Sequence, residues 1–174
     1  MVEEDRQNYQ GVMKTLLIMR HAKSSWKDDT LPDHDRPLNK RGKQDAPRMG
    51  KLLQEKGLVP ELMISSTARR AQETAQLVAE ESGYEGEIQL ERDLYAFEPA
   101  AYLEELARIE DHYQIVLIVG HNPGLEELLE QFTGEYLHLP TAALAQVNLP
   151  VESWSDLDEE TQGQLANLWR PKEL

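Results

Sequence analysis

Apolar residues recur along this chain in two rhythms. Short apolar runs stand at residues 15–19 (TLLIM), 61–65 (ELMIS) and 114–119 (QIVLIV). Runs of this length suit buried strands and are far too short to span a membrane. The last is the clearest, and its lack of polar alternation predicts a strand buried on both faces. A weaker run at residues 87–90 predicts one more strand. Between these runs the spacing changes to threes and fours. Ala46, Met49, Leu52 and Leu53 make one stripe, and Ala68, Ala71, Ala75 and Val78 a second. Leu103, Leu106 and Ala107 make a third; Leu125, Leu128, Leu129 and Phe132 make a fourth. Each predicts a helix with one buried face. Near the C-terminus, Ala143, Ala145, Val147 and Leu149 alternate like a strand with one buried face. Residues 165–169 return as a last strand, antiparallel to it.

The polar punctuation agrees with these elements. Asn39 is placed to cap the first helix and Gly57 to end it, with a kink expected at Pro47. Ser66 or Thr67 can cap the second helix, and Gly83 ends it. Pro99 can open the third. Asn122 and Pro123 can cap and open the fourth, which Gly134 stops. Strands alternating with helices predict a three-layer α/β/α sandwich with right-handed crossovers. Its central sheet is mostly parallel, with an antiparallel edge at the C-terminus. Residues 1–13 are polar and without periodicity, which predicts a flexible tail followed by a single domain over 14–174.

Composition narrows the function. The chain has no cysteine, which removes disulfide and thiol chemistry. No apolar leader run or membrane-length stretch is visible, so a cytoplasmic location is expected. The net charge of −14 argues against nucleic acid or an anionic membrane as partner. It also repels anionic substrates at long range, so any phosphate site must rely on local positive charge.

That local charge sits at predicted strand ends. Arg20-His21 follows the first strand, and Gly120-His121 follows the clearest one. Parallel strands would bring both histidines to one rim of the sheet, where ligands of open α/β sheets collect. Taken alone, Arg20-His21 can equally be a strand cap, and His121 a turn residue before a helix. The third piece is residues 65–71, SSTARRA. A helix N-terminus favours acidic residues, yet this one carries Arg69 and Arg70. A bound anion would resolve the conflict, while two solvated arginines would also account for it. His34, His112 and His138 are scattered without zinc-like spacing, so neither a metal nor a cofactor is expected. Trp154 and Trp169 are read as covering the sheet edge.

In order along the chain, RHAKSSW, DRPLNKRG, SSTARRAQET, VGHNPGLEEL, LPTAALA and RPKEL resemble the histidine phosphatase superfamily, which includes the phosphoglycerate mutases. They are most similar to the short SixA-type phosphohistidine phosphatases. Arg20-His21 matches the family's Arg-His-Gly motif with Ala22 in place of glycine, Arg70-Ala71-x-x-Thr74 its second motif, and Gly120-His121 its second histidine. The resemblance runs from about residue 15 to the C-terminus and implies a phosphoglycerate mutase-like fold. It implies His21 as the nucleophile, Arg20 and Arg70 as the grip on the phosphoryl oxygens, and His121 as a further donor. Ser24 is a plausible additional donor, and Arg36 a rim or structural residue.

One departure bears on substrate. Relatives that act on esters carry a glutamate acid about where residues 94–96 (LYA) fall, with only Asp93 and Glu98 flanking. An alkoxide leaving group needs a proton from an acid of the enzyme, whereas an imidazole departs neutral once it is protonated. The expected activity is therefore removal of phosphate from phosphohistidine in a protein. The alternatives are a phosphatase for a small phosphate monoester, or a phospho-ligand binding module without turnover.

Overall fold

The computed structural model describes residues 13–95 and 98–174. The expected tail, apart from Met13, lies outside them. The strands are β1 (Lys14–Arg20), β2 (Leu62–Ser66), β3 (Ile88–Glu91), β4 (Ile115–Gly120), β5 (Leu144–Leu149) and β6 (Gln164–Trp169). They form one sheet in the order β3-β2-β4-β1-β5-β6. β3, β2, β4 and β1 are parallel; β5 runs antiparallel to both β1 and β6. The three-layer sandwich and its antiparallel edge are as the pattern predicts.

Both faces of the sheet are covered because β1 and β4 are apolar on both. Leu16, Ile18, Val116 and Ile118 join one core with α3 (Pro99–Ala107) and α4 (Gly124–Thr133), through Leu103, Leu106, Leu125, Leu128, Leu129 and Phe132. Leu17, Met19, Leu117 and Val119 join the other with α1 (Lys40–Glu55) and α2 (Arg69–Ser82). Leu16, Leu17, Ile18 and Met19 have no exposed surface. Burial of such side chains is worth roughly 1.5–3 kcal/mol each, so the strand that ends in Arg20 is rigidly placed. The alternating 143–149 segment is likewise buried, and β6 pairs with it at the edge. Trp154 is enclosed in the first core, where its Nε1 donates to Tyr113 O at 2.8 Å, and Trp169 lies on β6.

Pro47 lies inside α1, which continues past it to Glu55. The carbonyl deprived of its partner belongs to Lys43, on the exposed side where water can bond it, while Ala46, Met49, Leu52 and Leu53 hold the helix to the core. α2 starts at Arg69 with Ala68 in the cap position; Ser66 Oγ accepts the Ala68 N–H but also meets His121. α4 starts at Gly124, and Asn122 donates its side-chain amide to Leu139 O at 2.8 Å instead of capping. Asn39 does cap α1, accepting from Gly42 N at 2.9 Å. Its own N–H donates to Lys23 O at 2.9 Å, which fastens α1 to the turn after His21. A side chain at Gly42 would strike that same Lys23 carbonyl, so the contact requires glycine. No helix among the described residues is long and apolar enough to cross a membrane.

Candidate active site

Parallel pairing of β1 with β4 sets Arg20 opposite Gly120, so His21 and His121 leave the sheet side by side. Their ring centroids are 5.1 Å apart. His21 Nδ1 lies 2.7 Å from Ala22 O. A carbonyl only accepts, so the ring proton sits on Nδ1 and the neutral ring keeps its lone pair on Nε2. Arg70 Nε approaches that nitrogen at 3.4 Å. Arg70 is 5% exposed, whereas its neighbour Arg69 turns outward to Glu73 at 2.9 Å.

Thr74, one turn further along α2, connects the pieces. Its hydroxyl donates to Arg70 O at 2.7 Å and accepts from Ala22 N at 2.9 Å. The Arg-Ala-x-x-Thr spacing thus anchors the His21-Ala22 turn to the helix that carries Arg70. Gly120 serves the second histidine. A side chain there would collide with the Tyr102 hydroxyl, which accepts from His121 N and donates to Leu94 O, both at 3.0 Å.

Burial is the first cause that lowers His21, to about 3, and Arg70, Arg20 and Arg36 push the same way against the Ala22 bond. Burial also lowers His121, to about 2, with His21, Arg70 and Arg20 adding to it against Asp33. Both rings are neutral near pH 7. Ser66 Oγ lies 2.8 Å from His121 Nε2 and already accepts from Ala68 N. All three groups are satisfied when the serine proton points to Nε2, which leaves the imidazole proton on Nδ1. Among the described residues, His121 Nδ1 and Arg20 Nε are buried with no hydrogen-bonding partner. Two donors in one cluster of positive charge are suited to oxyanions.

Arg20 is half-buried, and Nη1 donates to Leu139 O at 3.1 Å. Burial holds its pKa below the usual value, with Arg70 acting alike and Glu126 opposing. Glu126, buried in α4, accepts from Leu139 N and His138 Nδ1 at 2.8 Å each and so fixes the carbonyl that Arg20 grips. Nothing in the sequence pattern singles out Glu126. Ser24 is buried, and its hydroxyl accepts a short hydrogen bond from Arg36 Nη2; among the described residues it bonds to neither histidine. Arg36 is a clasp: it also donates to Ser25 O and Asp33 and stacks on Trp26 at 3.3 Å.

The residue that sequence reading missed is Asp33. It begins a short turn of 3-10 helix, Asp33–Asp35, between β1 and α1. Arg70 Nη1 donates to its carbonyl at 2.8 Å and Nη2 to its carboxylate at 3.1 Å. Tyr95 donates to the same carboxylate oxygen at 2.5 Å and sets its ring edge-on to His121 at 5.4 Å. Tyr95 thus stands where the ester-cleaving relatives' acid was sought; Ala96 lies outside the described residues. Among those residues, no cluster of His, Cys, Asp and Glu could hold a metal ion.

A mostly parallel sheet that brings two neutral histidines and two arginines to one rim is a scaffold for handling phosphoryl groups. The histidine phosphatase superfamily (branch 1) matches residues 16–98, and this chain belongs to that superfamily. An uncharacterized chloroplast protein of Arabidopsis thaliana is 32% identical over 155 residues, covering 84% of this chain and 71% of that protein. The structure of SixA from Agrobacterium tumefaciens, a proposed phosphohistidine phosphatase, has a TM-score of 0.78 at 28% identity over 91% of this chain and 98% of that one. SixA from Nakamurella multipartitia gives a TM-score of 0.80 at 24% identity, over 91% and 96%, and shares the fold. Membership supports hydrolase activity of the superfamily's kind.

Proposed function

We propose that this protein is a phosphatase that passes the phosphoryl group through His21, and that its substrate is phosphohistidine carried by a protein. The observation that carries the reading is the hydrogen bond from His21 Nδ1 to Ala22 O, which leaves the lone pair on Nε2 beside Arg70. In the first step that lone pair attacks phosphorus, the P–Nε2 bond forms and the bond to the leaving nitrogen breaks. The departing imidazole takes its proton from water. In the second step water attacks phosphorus, the P–Nε2 bond breaks, and inorganic phosphate leaves while a proton returns to solvent.

Phosphoryl transfer needs positioning and charge stabilisation more than covalent assistance. Arg70 Nε, Arg20 Nε and His121 Nδ1 are the donors we assign to the phosphoryl oxygens, with Ser24 a further one, since its hydroxyl accepts from Arg36 and keeps its own proton to give. We assign a phosphorylated protein as the partner because the segment between β1 and α1 holds only the Asp33–Asp35 turn and, among the described residues, no further helix or strand that could build a deep lid over the strand-end rim. Phosphohistidine is favoured because Leu94 and Tyr95 bring no carboxylate to the leaving group, and Glu98 is an exposed residue ahead of α3.

The test ranks kcat/KM for a phosphohistidine protein, free phosphohistidine, an activated aryl phosphate and an alkyl phosphate. The alkyl phosphate should be slowest by about a hundredfold to ten-thousandfold, the usual worth of general acid help. Equal rates for alkyl phosphate and phosphohistidine would replace this reading with a small-monoester phosphatase. Phosphate binding without turnover of any substrate would replace it with a binding module.

A further inference from the structure

We infer that Asp33 determines specificity at this site: its carboxylate, fixed beside the phosphoryl clamp, favours neutral or cationic leaving groups and rejects anionic ones. The inference rests on the phosphatase reading above and adds a selection rule to it.

The carboxylate is held by three donors. Arg70 Nη2 and Tyr95 Oη bond to Oδ2, and Arg36 Nη1 bonds to Oδ1 at 2.8 Å. The side chain is nevertheless 46% exposed, so it stands on the solvent side, from which a substrate arrives. The guanidinium that binds it presents Nε to His21 Nε2 at its other end. Asp33 therefore lies one guanidinium width beyond the proposed nucleophile. Two N–H groups of Arg70 are committed to Asp33 and one faces His21, so the carboxylate and an oxyanion can share the same fork.

In an in-line transfer the leaving group points away from His21 towards the mouth. A charge on that group then lies across the Arg70 guanidinium from the carboxylate, a separation we take as about 7 Å. For effective dielectric constants between those of a protein surface and water, one unit charge there changes the rate constant by about three- to fiftyfold. The imidazole of phosphohistidine is neutral or cationic, and once protonated its free ring nitrogen carries an N–H that a carboxylate can accept. A leaving group with a carboxylate or second phosphate meets like charge instead. The three donors also hold Asp33 ionised at neutral pH, since Tyr95, Arg70 and Arg36 outweigh the upward push of its partial burial. The contact is not a general acid in this state, because an ionised carboxylate has no proton to give.

The experiment uses two aryl phosphates of opposite leaving-group charge, 4-carboxyphenyl and 4-(trimethylammonio)phenyl phosphate. The cation-to-anion ratio of kcat/KM is measured for the full chain, Asp33→Asn and Asp33→Glu. Comparing ratios cancels the intrinsic reactivities. The ratio should fall at least about fivefold in Asp33→Asn and stay near the parent value in Asp33→Glu. A purely structural role would slow both substrates alike, and an unchanged ratio in Asp33→Asn overturns the inference. Should that variant not fold, Asp33→Ser takes its place with the same expected fall, and in the parent the ratio must also drop when salt rises from about 20 mM to about 1 M. A ratio indifferent to salt overturns the inference while leaving the phosphatase reading standing. Failure of the parent to turn over either substrate removes both.

Discussion

Replacing Thr74 by valine tests how the turn after β1 is held. Thr74 has no exposed surface, and its hydroxyl is the acceptor for Ala22 N and a donor to Arg70 O. Valine keeps the shape and removes both bonds. Arg70 O loses only an extra bond, because a helical carbonyl keeps its main-chain partner. Ala22 N–H is left buried and unpaired, which costs about 1–3 kcal/mol. With a urea m-value of about 2 kcal/mol/M, the unfolding midpoint should fall by about 0.5–1.5 M. The catalytic loss should exceed the stability loss, because Ala22 is bonded on both sides. Its N–H goes to Thr74 and its carbonyl orients the His21 ring. A turn that shifts by a few tenths of an ångström re-aims Nε2, so kcat for an aryl phosphate should drop about tenfold or more at equal folded fraction. Thr74→Ser keeps the hydroxyl and should recover most of both effects. A valine variant with parental midpoint and parental kcat would show that the Ala22–Thr74 bond holds nothing in place.

Two further outcomes follow from the same geometry. Arg70→Ala should lower kcat/KM about a hundredfold to a thousandfold, the usual cost of one donor to the developing charge, whereas Arg69→Ala should stay within about threefold; steady-state kinetics on the pair decides, and the reverse order would mean the helix phase is wrong. Burial lowers His21 to about 3 and His121 to about 2 from 6.5, so between about pH 3 and 6.5 the unfolded chain binds protons that the folded chain refuses. Stability is then complete above pH 6.5 and declines as pH falls through that window. His121→Gln should flatten part of the slope in urea titrations from pH 4 to 7, and an identical slope in the variant would contradict the assignment.

The elements that carry the two histidines were legible because buried strands advertise themselves. The runs at 15–19 and 114–119 are apolar on both faces, and parallel pairing then brings their ends together without further information. Arg70 was legible through the Arg-Ala-x-x-Thr match, which set it apart from Arg69 at a helix start whose two arginines already looked out of place, and it is buried in α2 beside Ala71 and Thr74. Asp33 was not. It lies in an aperiodic loop of mixed charge, and its partners Arg70 and Tyr95 are 37 and 62 residues away in sequence. Glu126 was hidden for a related reason: its place in the first turn of α4 reads as ordinary dipole complementation, while its bonds to His138 and Leu139 depend on a loop that periodicity does not address. The misplaced caps at Ser66 and Asn122 share one cause. Each residue is a good cap by type, but each spends its side chain on the site, at His121 and at Leu139.

The central claim is that phosphorus becomes bonded to His21 Nε2 during turnover. The direct measurement is rapid quenching of the enzyme with 32P-labelled aryl phosphate under single-turnover conditions, followed by peptide mapping of the label. Transient label is expected that is stable to alkali, lost in acid, and located on His21, with none in His21→Asn. Label on another residue, or turnover with no protein-bound phosphate at any quench time, would contradict that claim.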